Sequence, residues 1–178
     1  MKVLGLDPGY GRLGWGVVEQ SGFAMKAVEF GVFETASSLP FPARLEELHA
    51  FVSSLAARHR CGEAAVEQIF FSKNVKTAVL VAEARGVILL ALRQAGLEAV
   101  EVSPQHVKQA LVGQGAATKA QNQFMVQRLL GLKSLPKPDD AADALGLAVA
   151  ALRSRPMRLL ARQAAAKAVR TRTGGGKA

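Results

Sequence analysis

Residues 2–9 read Lys2-Val3-Leu4-Gly5-Leu6-Asp7-Pro8-Gly9, an apolar run that breaks on an acid and is then turned by proline and glycine. Such a run suits a short buried strand, and the Pro-Gly pair stops it, so Asp7 is predicted at a strand's end. Working outward, residues 13–19 and 24–35 read as two more strands joined at Ser21-Gly22, the second alternating around Val28, Phe30 and Val32. The first third is therefore an antiparallel meander. Leu45, Leu48, Phe51, Val52 and Leu55 then recur at helical spacing after Pro40 and Pro42, and residues 63–67 form a fourth short strand that ends on a second acid, Glu67. Helix alternating with strand indicates an α/β layer fold.

Asn74 is placed to cap a helix running to about Ala95, whose middle, residues 78–92, is apolar on nearly every face. One face packs on the sheet; the other is either a subunit interface or covered by a second helix of the same chain. Residues 98–102 read as a fifth strand. Ser103-Pro104 starts a helix that Gly113 and Gly115 break, and Thr118 caps another through about Leu130. Pro136 and Pro138 end that segment. Asp139 is then expected to cap a last helix from Asp140 to about Arg153, lined with small residues that permit close approach to a sheet. Residues 1–155 are expected to form one domain and residues 156–178 a basic, poorly ordered tail.

Composition bounds the function. A chain of 178 residues, 49% hydrophobic and 21% charged, is long enough for one well-buried domain and short of two large ones. No apolar run approaches the ~20 residues of a membrane span, which excludes an integral helical membrane protein. The N-terminal apolar stretch is too short for a signal-peptide core and Cys61 is the single cysteine, so the reducing cytoplasm is the expected compartment. The net charge of +9 is unevenly placed. Residues 151–178 hold eight basic side chains and no acid, while residues 68–138 carry nine Lys and Arg against Glu83, Glu98 and Glu101. Acidic zones on either side of a basic middle suit an enzyme that cuts a polyanion, and equally a plain solvated surface.

Three acidic points stand out: Asp7, Glu67 and the pair Asp140 and Asp143. Residues three apart share a helix face, so the pair can reach one site together with two strand ends. At ~5 Å and an effective dielectric of ~20 each carboxylate pair repels by roughly 3 kcal/mol, which calls for a cation. All-oxygen ligation suits Mg²⁺ or Mn²⁺; the histidines and Cys61 show no zinc-like spacing. Taken singly, each acid also reads as a turn former or a helix cap.

Five motifs in order carry a resemblance. Leu6-Asp7-Pro8-Gly9 with Gly14-Trp15-Gly16-Val17, Val66-Glu67-Gln68-Ile69-Phe70 with Lys73-Asn74, Ala84-Arg85-Gly86, Val107-Lys108-Gln109 with Gly113, and Asp140-Ala141-Ala142-Asp143-Ala144-Leu145 resemble the RuvC family of bacterial Holliday junction resolvases, collinearly from about residue 2 to residue 150. The resemblance implies a ribonuclease H-like α/β fold with a five-stranded mixed sheet flanked by helices, a homodimer, and a metal-dependent endodeoxyribonuclease that makes paired nicks in four-way DNA junctions during recombination and repair. It implies Asp7, Glu67, Asp140 and Asp143 as ligands of two Mg²⁺ ions, with Mn²⁺ an alternative and Asp7 shared between them. It implies Lys119 as a catalytic lysine near the reacting phosphate and Lys108 beside the DNA backbone, although both also read as ordinary helix-surface lysines. Phe70 corresponds to an aromatic that stacks on an unpaired base, with Phe71 the alternative, and Lys73, Asn74, Lys76 and Arg85 extend the phosphate-binding surface. A branch-migration motor of the RuvA and RuvB type is the implied partner. The chain departs from the pattern at Tyr10, where a small hydroxyl residue is usual, and at Asp139, an extra acid beside the last pair.

Three other readings compete. An actin-like phosphotransferase also ends its first strand on Asp-x-Gly, but needs two such domains around its nucleotide. A non-catalytic junction-binding module has no reason to keep four mutually repelling acids. A ribonuclease H-like nuclease acting on another nucleic acid keeps all of these features.

Overall fold

Strand β1 (Lys2–Pro8) lies in the middle of a five-stranded sheet of order β3-β2-β1-β4-β5, where β2 is Arg12–Ser21, β3 Ala24–Glu34, β4 Glu63–Glu67 and β5 Glu98–Val102. The computed structural model describes residues 1–69 and 75–173. The three N-terminal strands pair antiparallel, as the meander requires, while β1, β4 and β5 run parallel, so the sheet is mixed. Covered on both faces, β1 needs apolar residues at successive positions, and Val3, Leu4 and Leu6 are all fully buried.

Alternation sorts the strand residues into two cores. Leu4, Leu6, Trp15, Val17 and Val66 face helices α1 (Phe41–His59) and α2 (Val75–Gln94), meeting Val52, Leu55, Ile88 and Leu92. Val3, Val18, Ala65 and Val102 face α5 (Asp139–Thr173), with α3 (Pro104–Val112) and α4 (Lys119–Leu129) beside it. On that second face α5 approaches unusually closely. A Cβ at Gly5 would overlap the Ala144 carbonyl, and one at Gly14 would overlap the Asp140 carbonyl. Gly14 is the cross-strand partner of Asp7, so this contact brings the first turn of α5 to the end of β1.

The expected caps hold for α3 and α4. The Ser103 side chain accepts from the His106 N–H, and Thr118 and Gln121 form a reciprocal capping box. The expected cap Asn74 lies outside the described residues. Helix α2 packs on the sheet and is covered by α1, a second helix of the same chain, while Val79 and Leu90 remain about half exposed on its other side.

Two expectations about the last helix change. Asp139 is its first residue rather than its cap, the Ala141 N–H bonding back to the Pro138 carbonyl. The helix also runs past Arg153, through Pro156, to Thr173, so the tail expected to lack order from residue 156 is helical as far as 173. Proline removes one N–H and crowds the preceding turn. Here Arg158 Nη1 donates to the Ala151 carbonyl at 2.8 Å within that turn, and Arg155 and Arg158 tie the extension to Glu63. Alanine, arginine, leucine and glutamine, all strong helix formers, dominate residues 157–173. Among the described residues no helix is long and apolar enough to cross a membrane.

Candidate active site

Because β1 and β4 run parallel with Leu6 opposite Val66, the next residue of each strand is an acid, and both point to the α5 face. Asp7 and Glu67 share a hydrogen bond. Burial, and then the charge of Glu67, pushes the Asp7 carboxyl up to about 8; Asp143, the hydrogen bond to Glu67 and Asp140 add to the rise. The two carboxyls share a proton, which burial and the neighbouring acids favour on Asp7. Burial also raises Glu67, with Asp143 adding to it and the hydrogen bond from Asp7 opposing it.

The α5 acids take protein cations. Asp143 is raised first by burial and then by Asp139 and Asp140, against the pull of Lys119, whose Nζ lies 3.1 Å from Asp143 Oδ2 and 3.4 Å from Asp139 Oδ2. Asp140 Oδ2 accepts from Arg12 Nη1 at 3.0 Å, and Arg12 also pairs with Glu34. Asp140 acts on the Asp7 carboxyl, and Asp139 pairs with Lys119. Among the described residues no three acid, histidine or cysteine side chains close into a ready-made metal-ligand set. The four like charges instead relieve their repulsion through a shared proton and two basic side chains. A proton lodged on a carboxylate cluster is one that a cation displaces, and the donors are all hard oxygens, so the residues fit a divalent cation.

The remaining expected residues divide three ways. Lys108 and Lys119 line a cleft of about 230 Å³ together with Glu67 and Asp143. Arg85, expected on the open phosphate-binding surface, is turned inward instead. Its Nε donates to the Glu67 carbonyl at 3.2 Å and its Nη2 lies 3.0 Å from Glu101, so it positions the end of β4. A carbonyl at a strand's end needs a donor, and the guanidinium supplies one. Phe70, Phe71, Lys73 and Asn74 lie outside the described residues, as does the Lys76 side chain. Arg44 lies over the Tyr10 ring at 5.6 Å.

Sequence reasoning missed Arg12, which reaches Asp140 across 128 residues, and Asn122 and Gln123, which line the same cleft. Arg12 carries no local signal, since only the tertiary approach of α5 to Gly14 brings it near Asp140.

Residues 3–151 match the family model for the crossover junction endodeoxyribonuclease RuvC. The chain belongs to the RuvC family. A RuvC from Chloroflexus aggregans is 48% identical over 149 residues, spanning 84% of this chain and 91% of that one. A RuvC from Syntrophomonas wolfei is 45% identical over 154 residues, spanning 86% and 90%. Among solved structures, Thermus thermophilus RuvC superposes with a TM-score of 0.81 at 36% identity, covering 88% of this chain and 96% of that one. The same protein in complex with a Holliday junction substrate gives a TM-score of 0.84 at 36% identity and the same coverage. The yeast mitochondrial resolvase Ydc2, with a TM-score of 0.61 at 16% identity over 83% of this chain and 76% of that one, shares the ribonuclease H-like fold. Membership of the RuvC nuclease family and the carboxylate cluster agree on the use of a divalent metal.

Proposed function

We propose that this chain resolves four-way DNA junctions by hydrolysing one phosphodiester in each of two strands, with Asp7, Glu67, Asp140 and Asp143 holding two Mg²⁺ ions that Mn²⁺ can replace. The observation that carries the reading is the convergence of Asp7 and Glu67, from parallel strands, on the face of α5 that presents Asp143, in a chain of the RuvC family. When bound, the cations offset the carboxylate charge and supply Lewis acidity toward the phosphodiester. The chain's own groups do the rest. For all four carboxylates to hold cations, Asp7 and Glu67 would have to give up the proton they share. Lys119, already against Asp143, orients that carboxylate and meets the negative charge that grows on the phosphate during displacement. Lys108, on the same cleft, holds the neighbouring phosphate, and Arg85 keeps Glu67 in register through its backbone.

Phe70, stacking on an unpaired base, and Lys73, Asn74 and Lys76, contacting the backbone, complete the DNA surface in this reading. Each chain carries one such site, so paired nicks require a two-fold dimer. The exposed stripe of α2, with Val79, Ala82, Gly86 and Leu90 at helical spacing, is the proposed contact. Residues 1–155 form the nuclease unit, the compartment is the cytoplasm, and a branch-migration motor of the RuvA and RuvB type delivers the junction. The test is incubation with end-labelled four-way, three-way and linear DNA and either metal. Symmetric nicks confined to the four-way substrate are expected; equal cutting of all three, or binding without cutting, contradicts the proposal.

A further inference from the structure

Arg12 makes three contacts with acids, and they are unequal. It stands opposite Glu34 in the pairing of β2 with β3, and both its Nε, at 2.7 Å, and its Nη2 reach Glu34 Oε1. Its remaining arm, Nη1, donates to Asp140 Oδ2 at 3.0 Å. Arg12 and Gly14 are two residues apart on one strand and so face the same side of the sheet. Gly14 is where the Asp140 backbone presses on that side. The reach to Asp140 is therefore set by main-chain packing, and the reach to Glu34 by strand pairing. The guanidinium is anchored by two bonds to a glutamate of the edge strand β3 and lends one bond to an acid of the cluster.

That one bond is easily released. The Arg12 side chain is half exposed and that of Asp140 one-third exposed, so water screens the pair and limits its worth to a few-fold in an equilibrium constant. Losing the bond leaves Arg12 in place, because Glu34 still holds the other two nitrogens. A doubly charged cation attracts a carboxylate more strongly than one guanidinium arm does at the same distance. We propose that Arg12 competes with a divalent cation for Asp140, and that Glu34, by sharing Arg12, sets how hard it competes. The proposal rests on Asp140 being a metal ligand and deepens that reading. Changes at the two partners then have opposite signs. Without Arg12, Asp140 Oδ2 is free for the cation and a like charge leaves its neighbourhood, so affinity rises. Without the charge of Glu34, the guanidinium turns fully on Asp140, so affinity falls. The pair thereby sets the cation concentration at which the acid cluster fills.

The test is titration of Mn²⁺ into the full-length protein, with free Mn²⁺ counted by its electron paramagnetic resonance signal. Arg12→Gln should bind Mn²⁺ about three- to fivefold more tightly than wild type, and Glu34→Gln about threefold more weakly. In the double variant the Glu34 change should have almost no effect, because it acts through Arg12. Both single effects should shrink between about 0.05 and 0.5 M salt, as screening of half-exposed charges requires. A strap that merely ties β2 to β3 and α5 predicts neither the opposite signs nor the coupling. A wild type that binds Mn²⁺, with Arg12→Gln binding it no more tightly or Glu34→Gln acting equally with and without Arg12, overturns this inference alone. A wild type that binds no Mn²⁺ overturns the metal-ligand reading and this inference with it.

Discussion

Strand β4 is five residues long and carries a glutamate at each end, and the two have opposite surroundings. Glu63, 7% exposed, is gripped by Arg155 Nε at 3.3 Å and Arg158 Nη2 at 2.6 Å, both from the extension of α5. Glu67, at the other end, faces Asp7 and Asp143, and among the described residues Arg85 reaches it through its backbone carbonyl. The same helix supplies both environments: its first turn brings more acid to one edge of the sheet, and its fifth and sixth turns bring arginines to the other. The charge of Glu63 is met by two arginines in a closed structural contact, whereas the acids around Glu67 share a proton and two basic side chains among four carboxyls, an arrangement that a cation can displace. The sheet therefore has a closed edge and a loadable one.

The largest expected effect lies at the loadable edge. Asp7→Asn should lower cleavage of four-way DNA by about 10³-fold or more, since several kcal/mol of transition-state stabilisation are at stake, while junction affinity by gel shift changes little. Loss of binding together with cleavage would make Asp7 a structural residue like Glu63. At the closed edge, Arg158→Ala should leave Glu63 half-paired and cost about 2 kcal/mol, a fall of roughly 4–8 °C in melting temperature, with cleavage per folded molecule unchanged. A pH series should separate the edges further. Asp7 moves from 3.8 to about 8 on folding, so between those values the folded chain holds a proton that the unfolded chain has released. In chelator, the stability held by this proton should accordingly be full below about pH 4 and be lost as pH rises toward 8, read as a melting temperature that falls beyond the general trend. Asp7→Asn should flatten that slope. The smallest effect belongs to the half-exposed Arg162–Glu98 pair, where Arg162→Ala should leave the melting temperature nearly unchanged and show mainly as lost helicity by circular dichroism.

Much of the fold was legible in the chain because it is local. Pro8-Gly9 marks the end of β1, Ser103 and Thr118 announce their helices, and the three-residue step from Asp140 to Asp143 places both on one face. Sheet order was less accessible, because the parallel pairing of β1 with β4 joins segments about sixty residues apart and rests on packing that no window contains. Arg85 shows the limit at the site itself. An arginine beside a nuclease motif reads as a phosphate contact, yet tertiary structure aims it at the Glu67 carbonyl and Glu101. Pro156 misled in the other direction. Proline and an arginine-rich composition predict an unravelled tail, but Arg155, Arg158 and Arg162 find Glu63 and Glu98 on the sheet edge and carry the helix onward.

Proton release on cation binding tests the central claim most directly. Calorimetric titration of Mn²⁺ into the protein at pH 7, repeated in buffers of different ionisation enthalpy, counts the protons displaced. The shared proton of Asp7 and Glu67 should leave, giving about one proton per chain, and Asp7→Asn should release none. Equal binding by both proteins without proton release would mean that these carboxylates do not hold the metal.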